Sequence, residues 1–312
     1  MNQLQLLISG SPVPFFSADI NYSLDQLAHT FSCSIPPVKI DTPLPVEFRI
    51  QEQPIFFGQI DAVGSSTSTS AHQVTISGRS QSANMIDSRI TMDALYDQDI
   101  VKLLQSLAGA FGLGVKSLVK NMPLISEFQI TAESPVENIA QLIREQNLML
   151  IERNGVLTIE NPAHACVDGI GLEVGYNIES LDITRSFEKQ FHKVEVQGAW
   201  DEAHAVIKQP GINPSRTIVL ICDQLQSAEA CLSRAQYERN RAIAEGLSVS
   251  TSIANIFIEL AIAGLNRSIR VIDEKQGFNE MMLIKSLGLS VTDSSTNTTV
   301  GLMRPFKEQS YV

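Results

Sequence analysis

Hydrophobic and polar residues alternate along the first quarter of the chain. A period of two residues is typical of strands that bury one face, and turn residues such as Pro36 and Pro37 interrupt the alternation. The alternating segments are 4–8, 31–35, 46–50, 54–61 and 72–76. Five or six short strands predict a small β-barrel-like domain over residues 1–86. The Ser/Thr tract from Gly64 to Ser70 has nothing to bury, so we expect a mobile hairpin tip there.

The hydrophobic period then changes to that of a helix. Residues 100–111 place their apolar side chains on one helical face, and either Asp97 or Asp99 can act as the N-cap. A second helix begins at Ser134-Pro135-Val136-Glu137, which has the form of a capping box with proline at the first helical position. The sequence therefore predicts two amphipathic helices in the middle of the chain.

An Asn-Gly pair at Asn154 and Gly155 separates two apolar runs that follow the second helix. Asn-Gly between apolar segments is the strongest short-range signal for a β-hairpin, because both residues tolerate positive φ. Two helices and a hairpin predict a compact α+β unit over residues 87–165.

The alternating pattern returns after Pro162 and predicts a second β-barrel-like domain over residues 166–312. This domain contains one long polar helix at 224–245, with Asp223 as its N-cap, which we expect to lie on a surface. The segment Ile20 to Asp25 resembles Ile183 to Glu188, and this internal similarity predicts two related domains. The predicted fold is mainly β with α+β, in which two small β-barrel-like domains flank or pack with the α+β unit.

The amino-acid composition disfavours several classes of function. The 312 residues carry 34 acidic and 23 basic side chains, and this net charge of −11 disfavours nucleic-acid binding as the main role. Only 18% of residues are charged, whereas 83 are Ser, Thr, Asn or Gln, so the polarity is mostly uncharged. The most apolar run, 256–265, is short and contains Glu259, so we expect no stable membrane insertion. Four scattered cysteines fit free thiols in a reducing cytoplasm.

Candidate catalytic and metal-binding groups are weak. His164, Cys166 and Asp168 form the densest local cluster of metal-ligand types, but the sequence contains no second half of a tetrahedral site. No GxSxG motif or phosphate-binding glycine loop is present. Acidic pairs are available for glycoside hydrolysis, yet Asp99 and Glu137 are already explained as helix-start residues. We therefore predict no enzyme activity, no cofactor and no metal.

Several segments, taken in order, resemble a known family. They include Ile20 to Phe31, Phe57 to Asp61 and Val74 to Ser80, then helical and hairpin segments of the middle unit and a closing Met303-Arg304-Pro305. Together they resemble the baseplate central hub family of contractile-tailed phages, specifically the Mu-like tail proteins P, which are related to the T4-type hub and to type VI secretion spike hubs. The positions that match family motifs are Phe57, Gly58, Gln59, Ile60, Asp61, Gly78, Arg79, Asp87, Asn177, Ile178, Arg185, Ser186, Phe187, Gln197 and Gly198.

The resemblance implies a structural protein of the virion tail baseplate, assembled in the host bacterial cytoplasm. It implies a homotrimeric ring, in which two barrels per subunit give a pseudo-sixfold platform between a hexameric tail tube and a trimeric central spike. The implied partners are further copies of the chain, the spike protein, the tube and other baseplate proteins. DNA could pass through such a ring without being bound specifically.

Two alternatives stay open at this point. The chain could be a glycan-binding or glycan-cleaving tail protein, because β-rich folds with acidic residues often handle sugars. It could also be the equivalent hub of a phage-tail-like bacteriocin or secretion spike, since the sequence does not separate these systems from a phage or prophage.

Overall fold

A computed structural model describes residues 4–69, 72–120, 122, 124–223 and 225–305. In this part of the chain the fold is mainly β, as the sequence predicts. The N-terminal strands are β1 (Leu4–Ile8), β2 (Ser11–Val13), β3 (Ser17–Ser23), β4 (Thr30–Ile35), β5 (Pro45–Ile50), β6 (Gln53–Thr67) and β7 (His72–Ser80). Their inward side chains include Phe31, Phe48 and Phe56, whose rings meet edge to face with centroids 5.5 to 5.9 Å apart.

The middle unit has the two predicted helices and the predicted hairpin. Its elements are α1 (Ala83–Asp87), β8 (Ile90–Asp99), α2 (Ile100–Gly109), β9 (Gly114–Ser117), β10 (Leu124–Glu133), α3 (Pro135–Glu145), β11 (Met149–Arg153) and β12 (Val156–Glu160). Asp99 is the N-cap of α2, and its carboxylate accepts hydrogen bonds from the N–H groups of Val101 (2.8 Å) and Lys102 (3.2 Å). The capping box predicted for α3 is wrong, because the Ser134 hydroxyl donates to Met85 O at 3.4 Å instead of accepting from the helix.

The last region combines strands with the long helix. Its elements are β13 (Ala165–Glu173), β14 (Leu181–Arg185), β15 (Lys193–Gln197), β16 (His204–Lys208), β17 (Thr217–Ile221), α4 (Ala228–Glu245), β18 (Leu247–Ile253), α5 (Ile258–Ala263), β19 (Arg267–Asp273), β20 (Phe278–Thr292) and β21 (Thr296–Met303). Helix α4 begins later than the predicted 224, and its N-cap is Ser227 rather than Asp223, with Ser227 Oγ accepting from Ala230 N at 3.2 Å. It packs on the three-stranded sheet β16-β15-β17.

The prediction of two β-barrel-like domains is wrong in one respect, because the strands of both regions belong to a single open sheet. Among the described residues, 13 strands from both ends of the chain form one sheet, and its strand order closes no barrel. The order is β14-β18-β21-β20-β3-β4-β7-β6-β5-β1-β2, with β19 also pairing to β20 and β13 to β19. The two regions join where β20 pairs antiparallel with β3. One hydrophobic core consequently runs through both regions, while the middle unit has its own. The domain limits stay predictions.

The shared sheet contains an internal repeat. In the first region the strands lie in the order β3-β4-β7-β6-β5, and in the last region in the order β14-β18-β21-β20-β19. The strands β6 and β20 are both 15 residues long, and their pairings with β7 and β21 each contain one bulge, at Asp61 and at Lys285. One row of paired residues beside the first bulge is Ile20, Phe31, Gly78 and Ile60, and the matching row is Ile183, Val249, Leu302 and Ile284. Superposing the bulges therefore equates Ile20 with Ile183, the same equivalence that the sequence similarity predicts.

A buried polar junction joins the first region to the middle unit. Glu152 Oε2 accepts from Ser80 Oγ at 2.5 Å and from the hydroxyl and N–H groups of Ser82. His29 Nε2 lies 2.9 Å from Glu152 O, to which it donates. Burial, with a smaller effect of Arg153, lowers the pKa of His29 to about 4 although its hydrogen bond to Glu152 O acts in the opposite direction. Burial raises the pKa of Glu152. The folded junction therefore holds a neutral imidazole at neutral pH.

This pKa shift predicts a pH-dependent stability. Because the folded state disfavours protonated His29, the free energy of unfolding falls as the pH drops from about 6.5 towards 4, by up to about 3 kcal/mol from this residue. The Glu152 shift has the opposite sign, with stability lost as the pH rises above that carboxyl's ordinary range. Denaturant unfolding of wild type and His29→Gln at several pH values isolates the histidine. We expect the variant to lack the loss between pH 6.5 and 4, and equal profiles would contradict the assignment.

Candidate assembly surface

The shared sheet has one apolar face and one face of small uncharged polar residues, which we call the polar face. Strand alternation sends Ile20, Ile76 and Val249 into the core and sends their neighbours to the other side. The neutral polar residues of the polar face include Asn21, Ser32, Thr75, Ser77, Thr184, Ser248, Ser250, Ser252, Ser286, Ser290, Asn297 and Thr299. Most of the uncharged polar side chains of these strands therefore lie on one surface.

The polar face repeats its chemistry along with the fold. The equivalence of Ile20 with Ile183 also matches Asp19 with Asp182, two exposed carboxylates on this face. Further matched pairs are Ser32 with Ser250, Ser34 with Ser252, Thr75 with Thr299 and Gly64 with Gly288. Each chain thus presents nearly the same surface twice, side by side in one sheet.

Four family-motif positions meet at the bulge of β6. Arg79 Nε lies 2.7 Å from Asp61 Oδ2, and Arg79 Nη2 lies 2.6 Å from Asp87 Oδ2. Gln59 Nε2 donates to Asn84 Oδ1 at 2.9 Å and to Asp61 Oδ1 at 3.3 Å. The Arg79 guanidinium holds the pKa of Asp87 below its usual range. This group ties the bulge of β6 to strand β7 and to helix α1.

The motif glycines in this region are explained by close packing. A side chain at Gly58 would overlap Arg79 O, and one at Gly78 would overlap Gln59 O while lying 2.9 Å from the Phe31 ring. Neither glycine has a positive φ, so the requirement is space between the strands. The neighbouring motif position Ile60 is buried, so its role is packing in the core.

A substitution at Gly78 tests this packing. We expect Gly78→Ala to lower the free energy of unfolding by about 2–3 kcal/mol, because the methyl group forces the β6 backbone away. The matched control is Gly171→Ala in β13, where the new methyl group would meet Arg270 O at an ordinary 3.6 Å. Urea unfolding measures the free energy of unfolding of both variants. An equal decrease in the two would show that the close contact at Gly78 does not require glycine.

The motif pair Asn177 and Ile178 forms a turn before β14. Asn177 Nδ2 donates to Gly171 O at 2.6 Å, and Asn177 Oδ1 accepts from Glu173 N at 2.9 Å. Ile178 is buried in the shared core. The pair therefore holds the start of β14 against the end of β13.

The motif segment Arg185, Ser186 and Phe187 ends β14 at the rim of the sheet. Ser186 N donates to Gly246 O at 2.9 Å, and Phe187 O accepts from Arg216 Nη1 at 2.7 Å. The Phe187 side chain is 69% exposed. Aromatic residues are enriched at the cores of protein–protein interfaces, so Phe187 is available for such a contact.

The last two motif positions lie apart from the polar face. Gln197 ends β15 in the three-stranded sheet, where its Nε2 donates to Glu195 Oε1 at 3.1 Å. Gly198 follows it, and a side chain there would overlap Leu225 O. The structure thus brings together the motif positions around β6 and β7, and separately those around β14, but places Gln197 and Gly198 elsewhere.

Sequence reasoning missed one feature of this surface, which is the second half of β6. The tract predicted as a hairpin tip is β-strand from Gly64 to Thr67 and pairs with β7, whereas Ser70 and Ala71 lie outside the described residues. The length of β6 could have been inferred only from its equivalence with β20. A Ser/Thr tract can form a regular strand when a neighbouring strand supplies its backbone hydrogen bonds.

The described residues contain no candidate metal site. Within them, His, Cys, Asp and Glu side chains form no group of three placed to bind a metal ion, and His164 contacts Arg267 instead. None of the helices in this part of the chain is long and apolar enough to cross a membrane. Cys33, Cys222 and Cys231 are buried free thiols, and Cys166 is an exposed one.

Known structures share this fold over nearly the whole chain. The 43 kDa tail protein of prophage MuSo2 from Shewanella oneidensis superposes with a TM-score of 0.86 at 20% identity, covering 98% of this chain and 99% of that one. A tail protein from Neisseria meningitidis MC58 gives a TM-score of 0.83 at 16% identity, covering 96% of both chains. The E. coli c3393 protein, a type VI secretion component described as similar to the T4 tail proteins gp27 and gp5, gives 0.66 at 12% identity, covering 97% and 77%.

No protein-family model matches the chain, and no curated protein matches it by sequence. At identities of 20% and below, the superpositions show a shared fold. That fold is the one found in Mu-like prophage tail proteins and in a phage-tail-like component of a secretion system. It is the fold of the group that the sequence resemblance indicates.

Proposed function

We propose that this protein is a structural hub of a contractile phage or prophage tail baseplate. In this role three copies form a ring that adapts a hexameric tail tube to a trimeric central spike. The observation that carries the proposal is the internal repeat, since two equivalent halves per chain allow three copies to present six similar sectors. The shared fold with prophage tail proteins supports it.

The polar face suits the inner wall of such a ring. Its side chains are mostly short and uncharged, and Asp19 and Asp182 add negative charge. Arg79 also lies on this face, where its charge is paired with Asp61 and Asp87. A wall of this kind has little attraction for a phosphate backbone, because affinity for DNA depends on Lys and Arg that displace its counterions. DNA would pass without being held. The partners are then further copies of the chain, the tube, the spike and other baseplate proteins, contacted through complementary surfaces and without chemistry.

We place the protein in the virion tail baseplate after assembly in the host bacterial cytoplasm. Free cysteines are compatible with a reducing compartment. The same architecture could serve as the hub of a phage-tail-like bacteriocin or secretion spike, and the similarity to a type VI secretion component supports that variant. The neighbouring genes distinguish a phage from a bacteriocin or secretion system, because a phage also needs capsid and packaging genes.

Binding to tail components tests the proposal. The purified protein is immobilised and presented separately with the tube protein and the spike protein encoded beside it. Retention of both supports a hub, and retention of neither refutes it. A parallel incubation with host cell-wall and surface polysaccharide tests the glycan alternative, for which retention or cleavage of polysaccharide without binding of tube or spike would be expected.

A further inference from the structure

We infer that β6 of one copy pairs with β14 of the next, as an antiparallel ladder that places Ser65 opposite Ile183 of the next copy. The inference deepens the proposed function, since it rests on the ring and names the strands that close it. It follows from the internal repeat, because the chain contains one complete example of this junction and two open halves of another.

The complete junction is the pairing of β20 with β3. The second half of β20, after its bulge, runs antiparallel to β3 and places Leu289 opposite Ile20. The second half of the long strand in one repeat, β20, thus pairs with the first strand of the other repeat, β3. Leu287, also in this half, pairs with Tyr22 of β3 and is only 2% exposed.

The two open halves correspond to the same positions. Counting from the bulges, Val63 of β6 matches Leu287, and Ser65 matches Leu289. On the other side, Ile183 of β14 matches Ile20. Transferring the observed register therefore sets Ser65 opposite Ile183.

Both edges are open within the described residues. From Asp61 to Thr67, β6 pairs with β7 alone, since β5 reaches only Gln59. β14 pairs with β18 alone. An open strand edge carries unpaired N–H and C=O groups that favour the addition of another strand.

The exposure of Val63 supports a missing neighbour at this edge. Val63 is paired to Ile76 and points to the apolar side of the sheet, yet it is 42% exposed. Its equivalent Leu287 pairs with Tyr22 of β3 and is 2% exposed. Docking of β14 from a second copy would cover Val63 in the same way.

The contact is of the kind that a ring requires. It joins two different surfaces, β6 on one copy and β14 on the other, and is therefore heterologous. Each copy keeps one open edge of each kind, so the contact can repeat, and it closes after three copies when each copy is rotated by a third of a turn, as the proposed ring requires. The strands β14-β18-β21-β20-β3-β4-β7-β6 would then form one continuous annular sheet through all copies.

Disulfide trapping tests the strands and their register together. The variant Ser65→Cys/Ile183→Cys is made with Cys166→Ser, because Cys166 is the exposed native thiol among the described residues. Facing residues of an antiparallel pair have Cα atoms about 4.5–5.5 Å apart, within disulfide range. We expect mild oxidation to give covalent dimers and trimers on a non-reducing gel, which revert on reduction.

The matched control is Ser66→Cys/Ile183→Cys in the same background, because a shift of one residue turns the new thiol to the opposite face of the sheet. We expect it to crosslink at least 10-fold less. Crosslinking of the control instead of the test pair would overturn the register. Failure of both pairs in a sample that light scattering shows to be trimeric would overturn the strand pairing while leaving the hub proposal intact. Failure in a sample that is monomeric would count against both.

Discussion

Replacing Val63 by aspartate is expected to dissociate the assembled ring into single chains. In the free chain Val63 is 42% exposed, so a carboxylate there stays hydrated and the fold is retained. In the proposed ring β14 of the next copy would cover Val63, and an unpaired buried charge costs about 3 kcal/mol or more. Each contact should weaken at least 100-fold. Size-exclusion chromatography with light scattering, at micromolar concentration, measures the loss of assembly.

The control for this variant is Val38→Asp. Val38 is 48% exposed and lies in the loop between β4 and β5, away from both proposed edges. The two variants change the same residue type at similar exposure, so non-specific effects of charge should be equal. We expect Val38→Asp to assemble like wild type. If Val63→Asp also assembles like wild type, the second half of β6 is not an interface.

The second large effect is expected at Asn266, a fully buried residue at the joint between the middle unit and β19. Asn266 Nδ2 donates to Glu160 Oε1 at 2.9 Å and to Asn161 O at 2.9 Å, while Oδ1 accepts from Ala163 N at 2.8 Å. Aspartate has the same shape, but it replaces the donor by an acceptor and sets two carboxylates side by side. We expect Asn266→Asp to lower the free energy of unfolding at pH 7 by about 3–5 kcal/mol.

Denaturant unfolding of Asn266→Asp at two pH values checks the cause of this loss. Below pH 5 the new carboxyl can retain a proton and donate it to Glu160, so part of the stability should return. The matched control is Asn255→Asp, because Asn255 is exposed and uses only its side-chain oxygen, which accepts from Ile256 N at 2.9 Å. Equal stability of the two variants would show that the buried pairing with Glu160 is not required.

Local elements could be predicted from sequence where their partners lie close along the chain. The Asp99 cap bonds to groups two and three residues away, and the Asn154-Gly155 turn joins adjacent strands. The capping box at Ser134 failed because Met85, 49 positions earlier, offers the hydroxyl another partner. Such competition from distant residues leaves no local signal in the sequence.

The pairing of strands that lie far apart along the chain could not be predicted from the sequence. Alternation gave most strands but did not show which edges meet, so the pairing of β20 with β3 was missed and two barrels were predicted in place of one sheet. The similarity between Ile20 to Asp25 and Ile183 to Glu188 did carry the correct repeat. Among the motif positions, the contacts of Arg79 with Asp61 and Asp87 depend on the fold and could not be inferred from spacing.

The proposed hub requires that copies of this chain form a three-membered ring. Sedimentation equilibrium of the purified protein at micromolar concentration measures the mass of the assembly independently of its shape. With a chain mass of 34.2 kDa, three copies give about 103 kDa, and we expect this mass without a larger open-ended series. A single species at the mass of one chain, unchanged when the tube and spike proteins are added, would contradict it.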